Sequence, residues 1–89
     1  MTQQDINDRV REYICENFLY MRQEYEFSDT DSLLGHGILD SMGVIELITF
    51  LQDEFAIQVG DEEITEDNLG TLVAIAGYVH AKRAASIAA

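Results

Sequence analysis

The chain contains no proline, so nothing in it forces a helix to break from within. No segment alternates apolar and polar residues with the period of two that a half-buried strand requires, and the two absences together favour helices. Cysteine is nearly absent as well. Cys15 alone cannot close an internal disulfide, which points to a reducing compartment. No run reaches the roughly 18 apolar residues of a membrane-spanning helix, and Met1-Thr2-Gln3-Gln4-Asp5 lacks the basic and apolar regions of a signal peptide. A cytoplasmic location is the expectation. Basic residues are scarce: five Lys and Arg against 17 Asp and Glu give a net charge of −12 and an isoelectric point of about 4.1. Nucleic acids and anionic membranes are both bound through positive surface, so neither is expected as a partner.

What the sequence does contain is the composition of a folded globular chain, 47% hydrophobic and 25% charged over 89 residues. One domain spanning 1–89 is expected, with a core from about 4 to 80 and a tail from 81 to 89. The few basic residues sit at the ends: Arg9, Arg11 and Arg22 early, Lys82 and Arg83 late. The acids from Glu24 to Asp67 therefore have no local lysine or arginine to pair with. Charge logic alone reads this interval either as a solvated face or as a docking surface for basic partners.

Apolar spacing predicts an all-α fold, a small bundle of three main helices and one short helix. Ile6, Val10, Tyr13, Ile14, Phe18 and Met21 form one stripe of a helix from about Gln4 to Met21. Cys15 falls at the side or back of that stripe. A long connection follows, in which Phe27, Leu33, Leu34, Ile38 and Leu39 are available to tuck against the core. Asp40 or Ser41 caps a second helix running to about Phe55, with Val44, Leu47, Ile48, Leu51 and Phe55 on one face and Met42, Ile45 and Thr49 on another. The acidic stretch from Asp61 to Asn68 has room for a short helical turn anchored by Ile64 and Leu69. Thr71 can cap a last helix with Leu72, Ile75, Ala76 and Val79 inward, before an Ala-rich tail that frays from Ala81.

Several chemistries fail on spacing. Asp29-Thr30-Asp31-Ser32 begins like a calcium loop, but Leu33, Leu34 and Asp40 stand where a ligand, a glycine and a glutamate belong. His36, His80 and Cys15 are scattered without zinc-ligand spacing, so no metal site is expected. Leu39-Asp40-Ser41-Met42-Gly43 is half of a nucleophile elbow without its leading glycine or a sheet to carry it. His36, Asp40 and Ser41 have the residue types of a triad but no recognisable oxyanion hole or pocket, so an enzyme is not expected. Ser41 still requires an explanation. It opens a helix after a glycine-bearing loop, beside Asp40. The hydroxyl reads as an N-cap or as a handle for modification, where an attached anion would meet the positive end of the helix dipole.

The segment from Asp31 to Ile48 closely resembles the acyl carrier and peptidyl (aminoacyl) carrier protein family, in particular its free-standing members. The resemblance rests on Asp40-Ser41-Met42 opening a helix, with Met42 in place of leucine. Asp31-Ser32-Leu33 upstream, the ending Leu51-Gln52-Asp53-Glu54-Phe55-Ala56-Ile57 and the short acidic third helix stand in register with it. It implies that Ser41 carries 4′-phosphopantetheine, added from coenzyme A by a magnesium-dependent phosphopantetheinyl transferase, with Asp40 assisting. The arm's thiol then holds cargo as a thioester. It also implies a docking surface of Met42, Ile45, Glu46, Thr49, Asp53, Glu62, Glu63 and Glu66 for a loading ligase or synthetase and for downstream transferring enzymes with basic faces. A monomer is expected. Carriers of primary fatty acid synthesis usually follow the tripeptide with aspartate, where this chain has Gly43. That departure leans toward an amino acid or short acyl cargo. A specialised carrier for fatty acyl or polyketide intermediates is the rival within the family. Outside it, the rival is an acidic helical interaction module without a prosthetic group.

Overall fold

The computed structural model describes residues 2–18, 28–35 and 37–88. Its helices are α1 (Gln3–Phe18), α2 (Ser41–Phe55), α3 (Glu66–Leu69) and α4 (Leu72–Ala88), with a single 3₁₀ turn at Asp61–Glu63 before α3. There is no strand among the described residues. The three long helices and the short one are those expected from apolar spacing.

Each start has a local cause. Thr2 Oγ1 accepts from the Asp5 N–H at 3.1 Å while the Asp5 carboxylate accepts from the Thr2 N–H at 2.9 Å, a reciprocal cap that opens α1. Asp40 caps α2, Thr65 caps α3 by accepting from the Asn68 N–H, and Thr71 caps α4 by accepting from the Ala74 N–H. At its far end α2 stops at Ala56, held left-handed at φ 55°, a conformation that usually falls to glycine.

Inward faces follow the 3.6-residue period. Ile6, Val10 and Ile14 of α1, Leu47, Leu51 and Phe55 of α2, and Leu72, Ile75, Ala76 and Val79 of α4 are buried in one core with Leu33, Ile38 and Leu39. The described parts of the long connection are pinned: the Leu33 N–H donates to Gly70 O, the Val73 N–H to Asp29 O, and the Ile38 and Leu39 N–H groups to Leu33 O. Between α1 and α2 the seam is aromatic. Phe18 meets Tyr13 edge-on at 5.8 Å, Tyr13 stacks on Phe50 at 3.9 Å, and Phe50 meets Phe55 edge-on at 6.1 Å. Arg9 closes this ladder by lying over Phe50 and pairing with Glu54 at 2.8 Å.

The structure corrects two expectations, on the inward set and on the end of the last helix, and adds long-range ion pairs to the acidic interval. Leu34 and Ile64 do not tuck into the core but stay 46% and 41% exposed, because Leu33 fills the loop's inward position and α3 begins only after Thr65. The acids of the middle interval are not all without cations: folding returns the terminal basic residues to them, in Arg9–Glu54, Arg11–Asp29 and Lys82–Glu63 pairs. The last helix does not fray from Ala81 but continues to Ala88, anchored by Lys82 on Glu63 and by Arg83 donating to Phe55 O at 3.3 Å. The first helix is described only to Phe18, so Met21, Arg22 and Phe27 lie outside the described residues.

Candidate functional site

Ser41 is the first helical residue of α2 and is exposed. Its N-cap alternative is resolved: Asp40 holds the cap, with Oδ1 accepting from the Gly43 N–H at 2.7 Å, which leaves the Ser41 hydroxyl out of it. The second Asp40 oxygen takes no part in that bond. Around the hydroxyl are the first-turn amides of a 15-residue helix, groups without carbonyl partners inside the helix that favour an anion.

Gly43 makes this corner possible. A Cβ on it would stand 3.1 Å from Phe18 Cε1 and 3.3 Å from both Asp40 Oδ1 and Leu39 Cδ2. The glycine therefore lets the Phe18 ring and the capping carboxylate close on the helix start. This packing role was not read from the sequence, where a glycine inside a helix was the available signal.

Met42, Ile45, Glu46, Thr49 and Asp53 form one exposed stripe down α2 from the serine, at spacings of three and four residues. Met42 is 67% exposed and Ile45 58%, although both are large apolar side chains. Glu62 and Glu66 are exposed on the acidic segment that follows. Glu63 is engaged elsewhere: its carboxylate accepts from the Gly60 N–H at 2.9 Å and from Lys82 Nζ at 3.1 Å. Those donors, the Gly60 amide first, hold its pKa below the ordinary carboxylate value. The nearby Tyr78 hydroxyl is pushed up to about 12 by burial and then by the Glu63 charge. Tyr13 is raised by the same two kinds of cause, burial and the Glu46 charge, while its hydroxyl donates to Glu46 O at 3.3 Å.

Other sequence candidates resolve into structure. The Asp29–Asp31 segment is a turn in which the Asp31 carboxylate accepts from the Ser28 N–H at 2.8 Å and Asp29 pairs with Arg11. No group of three or more potential metal ligands gathers among the described residues. Cys15 is exposed, and His36 lies outside the described residues. A recess of about 110 Å³ opens between Leu34, Val44, Ile64, Thr65, Glu66 and Leu69. A larger open depression of about 490 Å³, lined by Ala56, Ile57, Gln58, Lys82 and Ala85, contains none of the candidate site residues. No described helix is long and apolar enough to cross a membrane.

Residues 8–79 match the family described as Phosphopantetheine attachment site. The chain is 40% identical over 67 residues to the D-alanyl carrier protein of Streptococcus sanguinis strain SK36, covering 75% of this chain and 81% of that protein. It is 39% identical over 67 residues to the D-alanyl carrier protein of Streptococcus gordonii strain Challis, with the same shares. To that of Streptococcus pyogenes serotype M5 strain Manfredo it is 37% identical over 68 residues, 74% of this chain and 85% of that protein. The chain belongs to the family of carrier proteins that bear covalently attached 4′-phosphopantetheine. Membership implies interaction with transferase and ligase enzymes.

Proposed function

We propose that Ser41 is the residue that receives 4′-phosphopantetheine and that the chain carries an amino acid or a short acyl group, serving as carrier rather than catalyst. The observation that carries the assignment is the exposed Ser41 hydroxyl at the start of α2, left out of the cap that Asp40 supplies. When attached, the group supplies a terminal thiol that holds cargo as a thioester. The chain's own residues do the rest.

Modification by the transferase removes the Ser41 proton, forms the Oγ–P bond and breaks the P–O bond to the nucleotide of coenzyme A. The resulting phosphodiester anion stands at the positive end of α2, a placement worth about 0.3–1 kcal/mol at an exposed site. Asp40 keeps the first turn in place through Gly43, and its second oxygen, outside that bond, would help the transferase position its magnesium and the serine. Met42 and Ile45 offer a small apolar contact patch, and Glu46, Thr49, Asp53, Glu62 and Glu66 give it a polar, mostly acidic rim for basic faces of the transferase, the loading ligase or synthetase and the downstream enzymes. Glu63 supports that rim through Lys82 rather than joining it.

An amino acid or short acyl cargo is favoured by the D-alanyl carrier relatives and by the aromatic ladder that fills the α1–α2 seam, where a long chain would have to displace Tyr13 from Phe50. Incubation with coenzyme A and a broad-specificity phosphopantetheinyl transferase tests the site. One phosphopantetheine adduct is expected on the wild type and none on Ser41→Ala. An unmodified wild type, or an adduct that survives the substitution, overturns the assignment.

A further inference from the structure

The two residues ahead of Asp40 and Ser41 hang on one carbonyl: the Ile38 and Leu39 N–H groups both donate to Leu33 O, at 2.9 and 3.1 Å. Leu33 donates its own N–H to Gly70 O at 2.9 Å, so the approach to Ser41 is tied to the junction between α3 and α4. Beside this backbone bond runs a side-chain one. Ser32 Oγ donates to Glu66 Oε1 at 3.2 Å and accepts from the Gly35 N–H at 3.0 Å, which uses the hydroxyl in both directions.

Two glycines leave room for that contact. A Cβ on Gly35 would stand 2.9 Å from Ser32 Oγ. One on Gly70 would stand 2.9 Å from Glu66 Oε1 and 2.4 Å from Glu66 O. Each glycine thus clears space for one partner of the same hydrogen bond.

We propose that Ser32 is a positioning residue for the modification of Ser41, bracing on Glu66 the loop that leads into α2. The proposal rests on Ser41 as the attachment residue. The brace acts through Leu33, whose carbonyl fixes Ile38 and Leu39 and so sets where Asp40 and Ser41 stand when the transferase engages them. Releasing the loop leaves the Ser41 hydroxyl chemically intact but spreads its position, and group transfer is sensitive to small misplacements of the nucleophile. Glu66 is exposed on the acidic rim as well. Its role as acceptor for Ser32 and its charge are therefore separable by substitution.

The test combines steady-state kinetics of a phosphopantetheinyl transferase acting on the full chain with hydrogen exchange at the Ile38 and Leu39 amides. Ser32→Ala is expected to lower kcat about three- to tenfold, the worth of one hydrogen bond, with KM little changed. Exchange at Ile38 and Leu39 should quicken while the Leu47 and Leu51 amides of α2 keep their protection. Ser32→Thr, which keeps the hydroxyl, should restore kcat. Gly35→Ala, whose Cβ displaces that hydroxyl, should repeat the Ser32→Ala pattern from a second position. Glu66→Gln keeps an acceptor for Ser32, so it should retain kcat and raise KM through the charge lost from the rim. Unchanged kcat in both Ser32→Ala and Gly35→Ala, a kcat loss without faster loop exchange, or a Glu66→Gln loss in kcat equal to that of Ser32→Ala overturns the proposal. Failure of the Ser41 assignment reads differently, as a wild type that takes no adduct whatever its loop amides do.

Discussion

Phe18 Cε1, at the end of α1, lies 3.1 Å from the point where a Cβ on Gly43 would stand in the first turn of α2. The two residues lock the helix that presents Ser41 against the end of α1. Gly43→Asp, which introduces the aspartate usual in carriers of primary fatty acid synthesis, sets a carboxylate against the Phe18 ring and beside the Asp40 cap. A loss of about 1–3 kcal/mol is expected in urea unfolding. The loss should shrink in a Phe18→Leu background, because the two substitutions share one contact. Additive losses would show that the ring is not what Gly43 accommodates.

Glu46 lies on the exposed stripe of α2 with Met42 and Ile45. Glu46→Lys is expected to slow transferase modification about tenfold at low salt, by reversing charge where a basic partner approaches. Thermal stability should move little. The difference should fade as salt rises. Equal rates at low salt would remove Glu46 from the docking surface.

Glu63 links the 3₁₀ turn to α4 through Gly60 and Lys82. Its carboxyl titrates below its ordinary value of 4.5 when folded, so its contribution is fully present above that value and is lost as pH falls through the folded pKa. Wild type should therefore exceed Glu63→Gln in stability at pH 7, and the gap should close as pH falls from 4.5 through the lowered folded pKa. Tyr78 acts on the alkaline side. Its folded pKa of about 12 exceeds its ordinary 10, so stability is expected to fall as pH rises from 10 through 12. Denaturant unfolding across both ranges measures these slopes.

Ala56 closes α2 at φ 55° and ψ 44° with its side chain exposed. A Cβ in this region opposes the following carbonyl, a strain glycine does not have. Ala56→Gly should raise unfolding stability by about 0.5–1 kcal/mol, net of glycine's greater freedom when unfolded. An unchanged or lower midpoint at the same denaturant dependence would argue that other contacts fix the turn.

The sequence was most legible where one helix face meets one core. Ile6, Val10 and Ile14, or Leu47, Leu51 and Phe55, repeat at helical spacing, and burial follows the repeat. Asp40 and Ser41 could not be ranked as caps, because both side chains accept hydrogen bonds and only the backbone around them decides which reaches the Gly43 amide. Leu34 and Ile64 were misread as anchors for a related reason: in short irregular segments apolarity does not say which way a side chain points. Ion pairs such as Arg9–Glu54 join residues 45 apart in the chain, a separation that no local pattern reveals. The stripe below Ser41 was read from helix spacing. The recess beside it depends on how α3 folds against α2, and no spacing shows that.

If Ser41 bears an arm loaded with a small aminoacyl or acyl group, intact-mass and peptide analysis of the protein isolated from its own cells should find a phosphopantetheine adduct localised to Ser41, carrying in part a further mass equal to an amino acid or a short acyl group. A fatty acyl mass on the arm, an adduct at another residue, or no adduct in any fraction would contradict it.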